Sequence, residues 1–402
     1  MQTRPLDADY QRHLEKNIGK FSWFKIFTKR VYLPLIAIQL VNKGGVTIGQ
    51  LALIAIIVSV VQVVLQLPTG YFADKYGNKR AIVLGSAICC LSPLLYVFMS
   101  NFTGGLIAGL LFFGGYCFTS GAIEALMHDT LVELGKEKQY AKVMGRAQSY
   151  GLIGNVVLIT AVPATYAIHP ALPFVIGFIS LAVNFFIALS FTYPKRVETA
   201  PQKKNPVAAL RAVVTRSNIA IFVFAGVLFG ITHRGGEYRE LVFQSIGINV
   251  SLFGALLALS SILGAVYGFG LHKLDAMKPA TFFLLDVFYI AGCLILIGIS
   301  HNPVIVATGF IMFLAYDRVR TILIQSRLLQ TVQHTYKATL LSALSLFAIS
   351  GEVVAVGTLS RFINWHGYIG GYFLFGLVAL FVGLGLWLPV YYTIRKQQDT
   401  NS

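Results

Sequence analysis

The sequence predicts an all-α polytopic membrane protein with twelve transmembrane helices in two six-helix bundles. Three observations carry that prediction. Of 402 residues, 56% are hydrophobic and only 12% charged, against about 25% charged in soluble domains, and the mean hydropathy is +0.71. Apolar runs able to cross a hydrocarbon core of roughly 30 Å, which takes about 20 helical residues, recur along nearly the whole length. The basic residues collect in alternate loops between those runs, which is how a chain encodes its orientation in a bilayer.

Apolar windows set against charged or Pro/Gly breaks place the first six spans roughly at 21–42, 47–68, 80–100, 104–128, 145–167 and 171–193. The second six fall roughly at 218–239, 250–271, 279–300, 303–325, 338–361 and 368–394. The segment 1–20 is polar, mixed in charge and without an h-region or cleavage site, so it reads as a cytoplasmic amino terminus and not as a secretory signal. Loops carrying Lys75, Lys79 and Arg80, then Lys136, Lys138, Lys142 and Arg146, then Lys195, Arg196, Lys203 and Lys204 alternate with short loops almost free of Lys and Arg. By the positive-inside rule both termini and the basic loops face the cytoplasm, and an even number of spans follows.

The stretch 194–217, rich in Pro, Lys and Arg, is the long internal connection. It divides the chain into an amino-terminal bundle, 21–193, and a carboxy-terminal bundle, 218–394, with a cytoplasmic tail at 395–402. Two halves of matching topology suit a rocking secondary transporter. The formal charge of +16 would raise the question of nucleic acid in a soluble protein; here it marks orientation, and no nucleic-acid partner is expected. Cys89, Cys90, Cys117 and Cys293 all lie in apolar segments and read as packing residues rather than a disulfide framework. No phosphate-cradling loop, nucleophile elbow or zinc spacing occurs, so the chain reads as no enzyme and as needing no cofactor or metal.

Between the second and third spans runs Gly70-Tyr71-Phe72-Ala73-Asp74-Lys75-Tyr76-Gly77-Asn78-Lys79-Arg80. Glycine at 70 would let its helix approach a neighbour closely, the Asp74 carboxylate can meet a helix amino terminus or a cation, and Lys79 and Arg80 suit an anionic lipid surface. This loop resembles the signature of the major facilitator superfamily. Leu67-Pro68-Thr69-Gly70, Gly121-Ala122-Ile123-Glu124-Ala125-Leu126-Met127-His128-Asp129 and Lys337-Ala338-Thr339-Leu340-Leu341-Ser342 look like a prokaryotic drug or metabolite exporter branch. The resemblance implies a gating motif of Gly70, Asp74, Gly77 and Arg80, in which Asp74 latches helix 2 to the start of helix 11. A degraded second copy, Gly268-Phe269-Gly270-Leu271-His272-Lys273-Leu274-Asp275, has His272 where the first has Asp74. The Arg-containing motif of many proton-coupled drug antiporters is missing from helix 4, and the Gly-Pro-rich motif of helix 5 is not clear.

Ionisable side chains at membrane depth cost roughly 2.5 to 3.5 kcal/mol each on insertion scales, so those retained are functional candidates. They cluster on helix 1 (Lys25, Lys29, Arg30), helix 4 (Glu124, His128, Asp129), helix 7 (His233, Arg234, Glu237, Arg239, Glu240) and helix 10 (Asp317, Arg318, Arg320). In the resembled superfamily these four helices line the central cavity. Helical spacing suggests local pairs between Arg234 and Glu237 and between Asp317 and Arg320. Lys29, Arg30, Arg234, Tyr316, Asp317 and Arg320 are the substrate-cavity candidates, although Lys29 and Arg30 could instead snorkel to the interface. Proton coupling needs a desolvated carboxylate, for which Glu124 and Glu352 are the first choices, with Asp129 and Glu237 beside them; Asp286, on a helix usually peripheral, is a weaker one. Trp23, Trp365 and Trp387 suit the interfacial aromatic belt.

The expected function is proton-coupled export, by alternating access, of a small anionic or zwitterionic organic solute such as a carboxylate metabolite or siderophore. Uptake of a nutrient and multidrug efflux of lipophilic compounds remain alternatives, with a non-cycling sensor or lipid-handling protein as a third. The expected partners are the solute, protons and the lipid bilayer, for a monomer in a bacterial inner membrane.

Overall fold

The computed structural model describes residues 7–194, 219–269, 274, 276–330 and 337–401, and among them it contains α-helices, short 3₁₀ turns and no strand. Two units are distinguished by their internal packing: Met1–Val46 with Val60–Pro201, and Thr47–Ser59 with Gln202–Ser402.

In the first unit, α1 (Ala8–Phe27) opens on Asp7, whose side chain accepts from the Asp9 N–H. It buries Leu14, Asn17, Phe21 and Phe24 and stops short of the length the sequence suggested. The chain then turns through Arg30, makes a 3₁₀ turn at Leu33–Leu35 and resumes as α2 (Ile36–Asn42). Pro34 sits in that break; lacking an N–H and clashing with the preceding turn, a proline favours a kink or break there. The window 21–42 is therefore a broken element and not one straight span. Next come α3 (Ile48–Tyr76), whose residues up to Ser59 group with the second unit, α4 (Asn78–Phe98), α5 (Phe102–Thr119), α6 (Ala122–Glu133), α7 (Tyr140–Ala164) and α8 (Leu172–Ser190). Gly77 parts α3 from α4 at φ 95°, in the left-handed region glycine enters without penalty; a Cβ there would also come within 2.9 Å of the Tyr193 hydroxyl. Helix α4 packs against α5 and α8, and α1 against α7 and α8. At one end of this unit, Phe21, Phe24, Ile82, Leu126, Met127 and Phe191 form a common core.

The second unit holds α9 (Ile219–Gly235), α10 (Arg239–Ser245), α11 (Phe253–Phe269), α12 (Pro279–Gly298), α13 (Pro303–Gln330) and α14 (Lys337–Asn401). Helices α9 and α10 bend by 42° at their break. The long run α14 is divided at Gly367, which sits at φ 69°, ψ 179°. Helix α14 packs on α9 and α12, and α13 on α11 and α12. At the α9–α14 contact, Gly230 and Gly351 touch backbone to backbone: a Cβ on Gly230 would lie 2.1 Å from the Gly351 carbonyl carbon. That closeness sets the neighbouring residues 233, 234 and 352 face to face.

Eight helices among the described residues are long and apolar enough to cross a membrane, or nine with the bent pair counted once. The count falls below the expected twelve where the physics is unusual. The first span is broken at Pro34, α13 carries Asp317, Arg318 and Arg320, and the last two sequence windows merge across Gly367. All four cysteines are free thiols.

Candidate functional site

The densest polar constellation is in the second unit, where α9 turns toward its break. Arg234 donates from Nη2 and Nε to Glu352 Oε2, at 2.7 and 3.0 Å, and from Nη1 to Glu237 Oε2 at 3.0 Å. A further bond runs from Nη2 to Ser59 Oγ, 2.6 Å away, on the Thr47–Ser59 stretch that packs with this unit. His233 Nδ1 lies 2.9 Å from Glu352 Oε1, and its Nε2 lies 3.9 Å from Asp317 Oδ1. One carboxylate thus holds a guanidinium on one oxygen and an imidazole on the other. Glu352 and Arg234 are 14% and 19% exposed, so their ion pair is little screened, whereas His233 at 35% and Glu237 at 34% remain in reach of solvent.

A second cluster lies along α12 and α13. Arg320 Nε donates to Asp286 Oδ1 and Oδ2 at 2.8 and 3.0 Å, and both side chains are fully buried. The Tyr316 hydroxyl donates to Asp286 Oδ1 at 2.9 Å. The guanidinium lies 4.8 Å from the Phe229 ring centroid, a cation–π contact. Its Nη1 and Nη2 are buried without a hydrogen-bond partner among the described residues. Two parallel donors of this kind match a planar anion in geometry, and here that edge is closed from the surface.

These contacts correct one sequence expectation. Arg320 pairs with Asp286 and not with Asp317 three residues before it; the tertiary partner displaces the local one because it offers a fully buried bidentate site. Asp286 is accordingly the acid that balances the deepest arginine. His233, which the spacing argument left aside, is the bridge between Glu352 and Asp317. The Arg234 to Glu237 pair is present as spacing suggests, and Arg318 is exposed.

In the first unit Lys25 donates to Glu124 Oε1 at 2.6 Å, while Glu124 Oε2 accepts from the Gly121 N–H at 3.1 Å and closes the start of α6. Asp129 Oδ2 accepts from Asn78 at 3.4 Å, with His128 Nδ1 3.7 Å from its other oxygen. Lys29 and Arg30 fall in the break after α1, and Arg30 lies over the rings of Phe112 and Phe113 at 4.5 and 4.7 Å. Of the gating motif, Gly77 makes the α3–α4 turn, Asp74 and Arg80 are exposed, and Asp74 has no hydrogen bond or ion pair among the described residues. A Cβ at Gly70 would meet nothing within 4 Å among the described residues. Most of the second motif copy, and residues 331–336 before helix 11, lie outside the described residues.

The family model described as Major Facilitator Superfamily matches residues 22–326. The chain belongs to the Major Facilitator Superfamily. Its relatives include an uncharacterized MFS-type transporter, MJ1560, of Methanocaldococcus jannaschii, 23% identical over 71% of this chain and 75% of that one. Another is the uncharacterized MFS-type transporter YxaM of Bacillus subtilis, 21% identical over 95% of this chain and 96% of that one. Among solved structures, the nucleoside transporter NupG superposes with a TM-score of 0.77 at 11% identity, covering 94% of this chain and 99% of the other. A bacterial homolog of the human lysosomal transporter Spinster gives 0.71 at 13%, covering 97% and 99%. At such identities these structures share the fold with this chain. The superfamily membership makes this an integral multi-pass membrane protein and a transporter rather than an enzyme.

Proposed function

We propose that this chain is a secondary active transporter for a small anionic or zwitterionic organic solute, driven by protons, and that it works in export. The observation that carries the reading is the pairing of a titratable imidazole and a carboxylate, His233 and Glu352, on the same helix contact that holds Arg234. A proton taken up by His233 adds a positive charge beside Glu352, whose other oxygen already holds Arg234. Arg320, with two donors unpaired among the described residues, supplies the means to hold a carboxylate or phosphate of the solute. Glu352 and His233 are assigned the coupling role, and Glu124, Asp129 and Glu237 supporting ion pairs. Gly70, Asp74, Gly77 and Arg80 keep the gating role that the superfamily resemblance implies. The reading includes twelve spans in bundles 21–193 and 218–394, a linker at 194–217, cytoplasmic termini and an inner-membrane location.

The test is flux in proteoliposomes of the purified chain under an imposed pH gradient, with a panel of carboxylates, zwitterions and lipophilic cations. Gradient-dependent movement of a carboxylate or zwitterion, lost in Glu352→Gln, is the expected result. Movement of lipophilic cations alone would overturn the substrate class, and flux indifferent to the gradient would overturn coupling.

A further inference from the structure

Away from the charge clusters, the first unit has a cavity of about 700 Å³ at the start of α4. Its polar side is made by Tyr76, Lys79, Arg80 and Tyr193, and its apolar wall by Val83, Leu84 and Ala87. The two halves follow from the helix itself. Residues 79, 80, 83, 84 and 87 recur at three- and four-residue steps on one face of α4, so a single stripe passes from charged to apolar over two turns. Helix α4 is one of the membrane-crossing candidates, and Tyr193 lies just past the end of α8 at Ser190, so charge and phenols gather at a span end while the apolar wall runs inward. The Tyr193 ring lies beside Gly77, where a side chain would collide with it.

We propose that this cavity is a binding site for an anionic phospholipid, with the phosphate between Lys79 and Arg80, the two phenols at headgroup level, and an acyl chain along Val83, Leu84 and Ala87. Lys79 and Arg80 have no acidic partner among the described residues; the nearby carboxylate Asp129 is taken by Asn78 and His128. The local field is positive: the Lys20 ammonium has its pKa lowered, first by burial and then by the charges of Lys16 and Lys79. A phosphate relieves that repulsion, and tyrosines at an interface offer a hydroxyl to it while their rings stay in the apolar layer. A soluble phosphate would use the same cations but leave the apolar wall uncovered, which is why the occupant is assigned as a lipid. The site shares Arg80 with the gating motif and none of its residues with the Arg234 and Arg320 clusters.

The experiment is native mass spectrometry of the full chain released from detergent, titrated with dioleoyl phosphatidylglycerol, dioleoyl phosphatidylcholine or inorganic phosphate. Wild type retains phosphatidylglycerol in preference to phosphatidylcholine, and Lys79→Gln with Arg80→Gln lowers that retention about tenfold or more, consistent with about 1 kcal/mol per basic residue at a lipid surface. Lys79→Arg with Arg80→Lys keeps it. Unchanged retention in the glutamine variant overturns the site, and displacement of the lipid by millimolar inorganic phosphate overturns the lipid as occupant. If the glutamine variant does not fold, Ala87→Phe narrows the apolar wall without touching a charge; retention falls if the site is right, and stays level if it is wrong.

Discussion

Arg320 grips both oxygens of Asp286 through Nε alone, at 2.8 and 3.0 Å, and keeps Nη1 and Nη2 buried without partners among the described residues. The pair neutralises itself at one edge of the guanidinium and remains a donor at the other. Arg320→Met leaves Asp286 buried with only Tyr316 for support. Removing one member of a buried pair costs about 3–5 kcal/mol, so thermal unfolding in detergent should show a clear loss. Replacing both, with Asp286→Leu and Arg320→Met, should recover most of the stability and still fail to transport an anionic solute. Full transport by the double variant would remove Arg320 from the solute path.

The Glu352 cluster separates coupling from stability differently. Glu352→Gln keeps one acceptor oxygen for Arg234 and removes the charge, so the protein should remain folded while pH-driven flux disappears and solute exchange across equal pH persists. Counterflow measured beside gradient-driven flux distinguishes the two. Loss of both together would make Glu352 a structural anchor.

Lys25 and Glu124 make the corresponding pair of the first unit, but their side chains are 18% and 35% exposed. A double-mutant cycle with Lys25→Met and Glu124→Gln should return a coupling energy of at most about 1 kcal/mol after solvent screening. Gradient-driven flux should survive Glu124→Gln. Its loss there, with flux intact in Glu352→Gln, would transfer the coupling role to Glu124.

The α9–α14 contact is sensitive to a single methyl group. Gly351→Ala would place its Cβ 2.2 Å from the Gly226 carbonyl oxygen, against backbone that cannot swing aside, for a penalty of about 1–3 kcal/mol or more. Gly268→Ala meets nothing within 4 Å among the described residues and should be neutral or slightly stabilising through helix propensity. Melting temperatures of the two variants check the contrast.

Lys136 and Glu15 form a surface pair, 2.7 Å apart. The Lys136 hydrogen bond and charge hold the Glu15 pKa below its ordinary value. A depressed carboxylate contributes stability that is present above its unfolded pKa and lost as pH falls through the folded one. Lys136→Met should therefore melt below wild type at neutral pH, and the difference should close once the medium is more acid than the folded Glu15 value. A gap that persists in acid would assign the effect to packing of the lysine stem.

Much of this was legible in the chain. The apolar windows and alternating basic loops announced a membrane bundle because a bilayer imposes both patterns directly, and Gly77 stood in a motif whose turn needs it. Pairs three residues apart could be read where no better partner existed, as for Arg234 and Glu237. Arg320 defied that logic because its partner lies on another helix, and the pairing of Arg234 and His233 with Glu352 depends on the Gly230–Gly351 approach, invisible without the packing. The break after α1 was readable from Pro34, yet the surrounding apolar residues hid it within one long window.

The Arg234 contacts also bear on how the chain is made. Glu352 is 118 residues downstream, so at about 5–20 residues per second some six to twenty-four seconds of synthesis separate the arginine from its main counter-charge. During that interval Arg234 has, of these partners, only the upstream Ser59 and the nearby Glu237 to pair with. Glu237, three residues away, is synthesised almost with it and can shield the charge until α14 arrives. The local pair thus supplies the counter-charge already present in the chain before Glu352 is made.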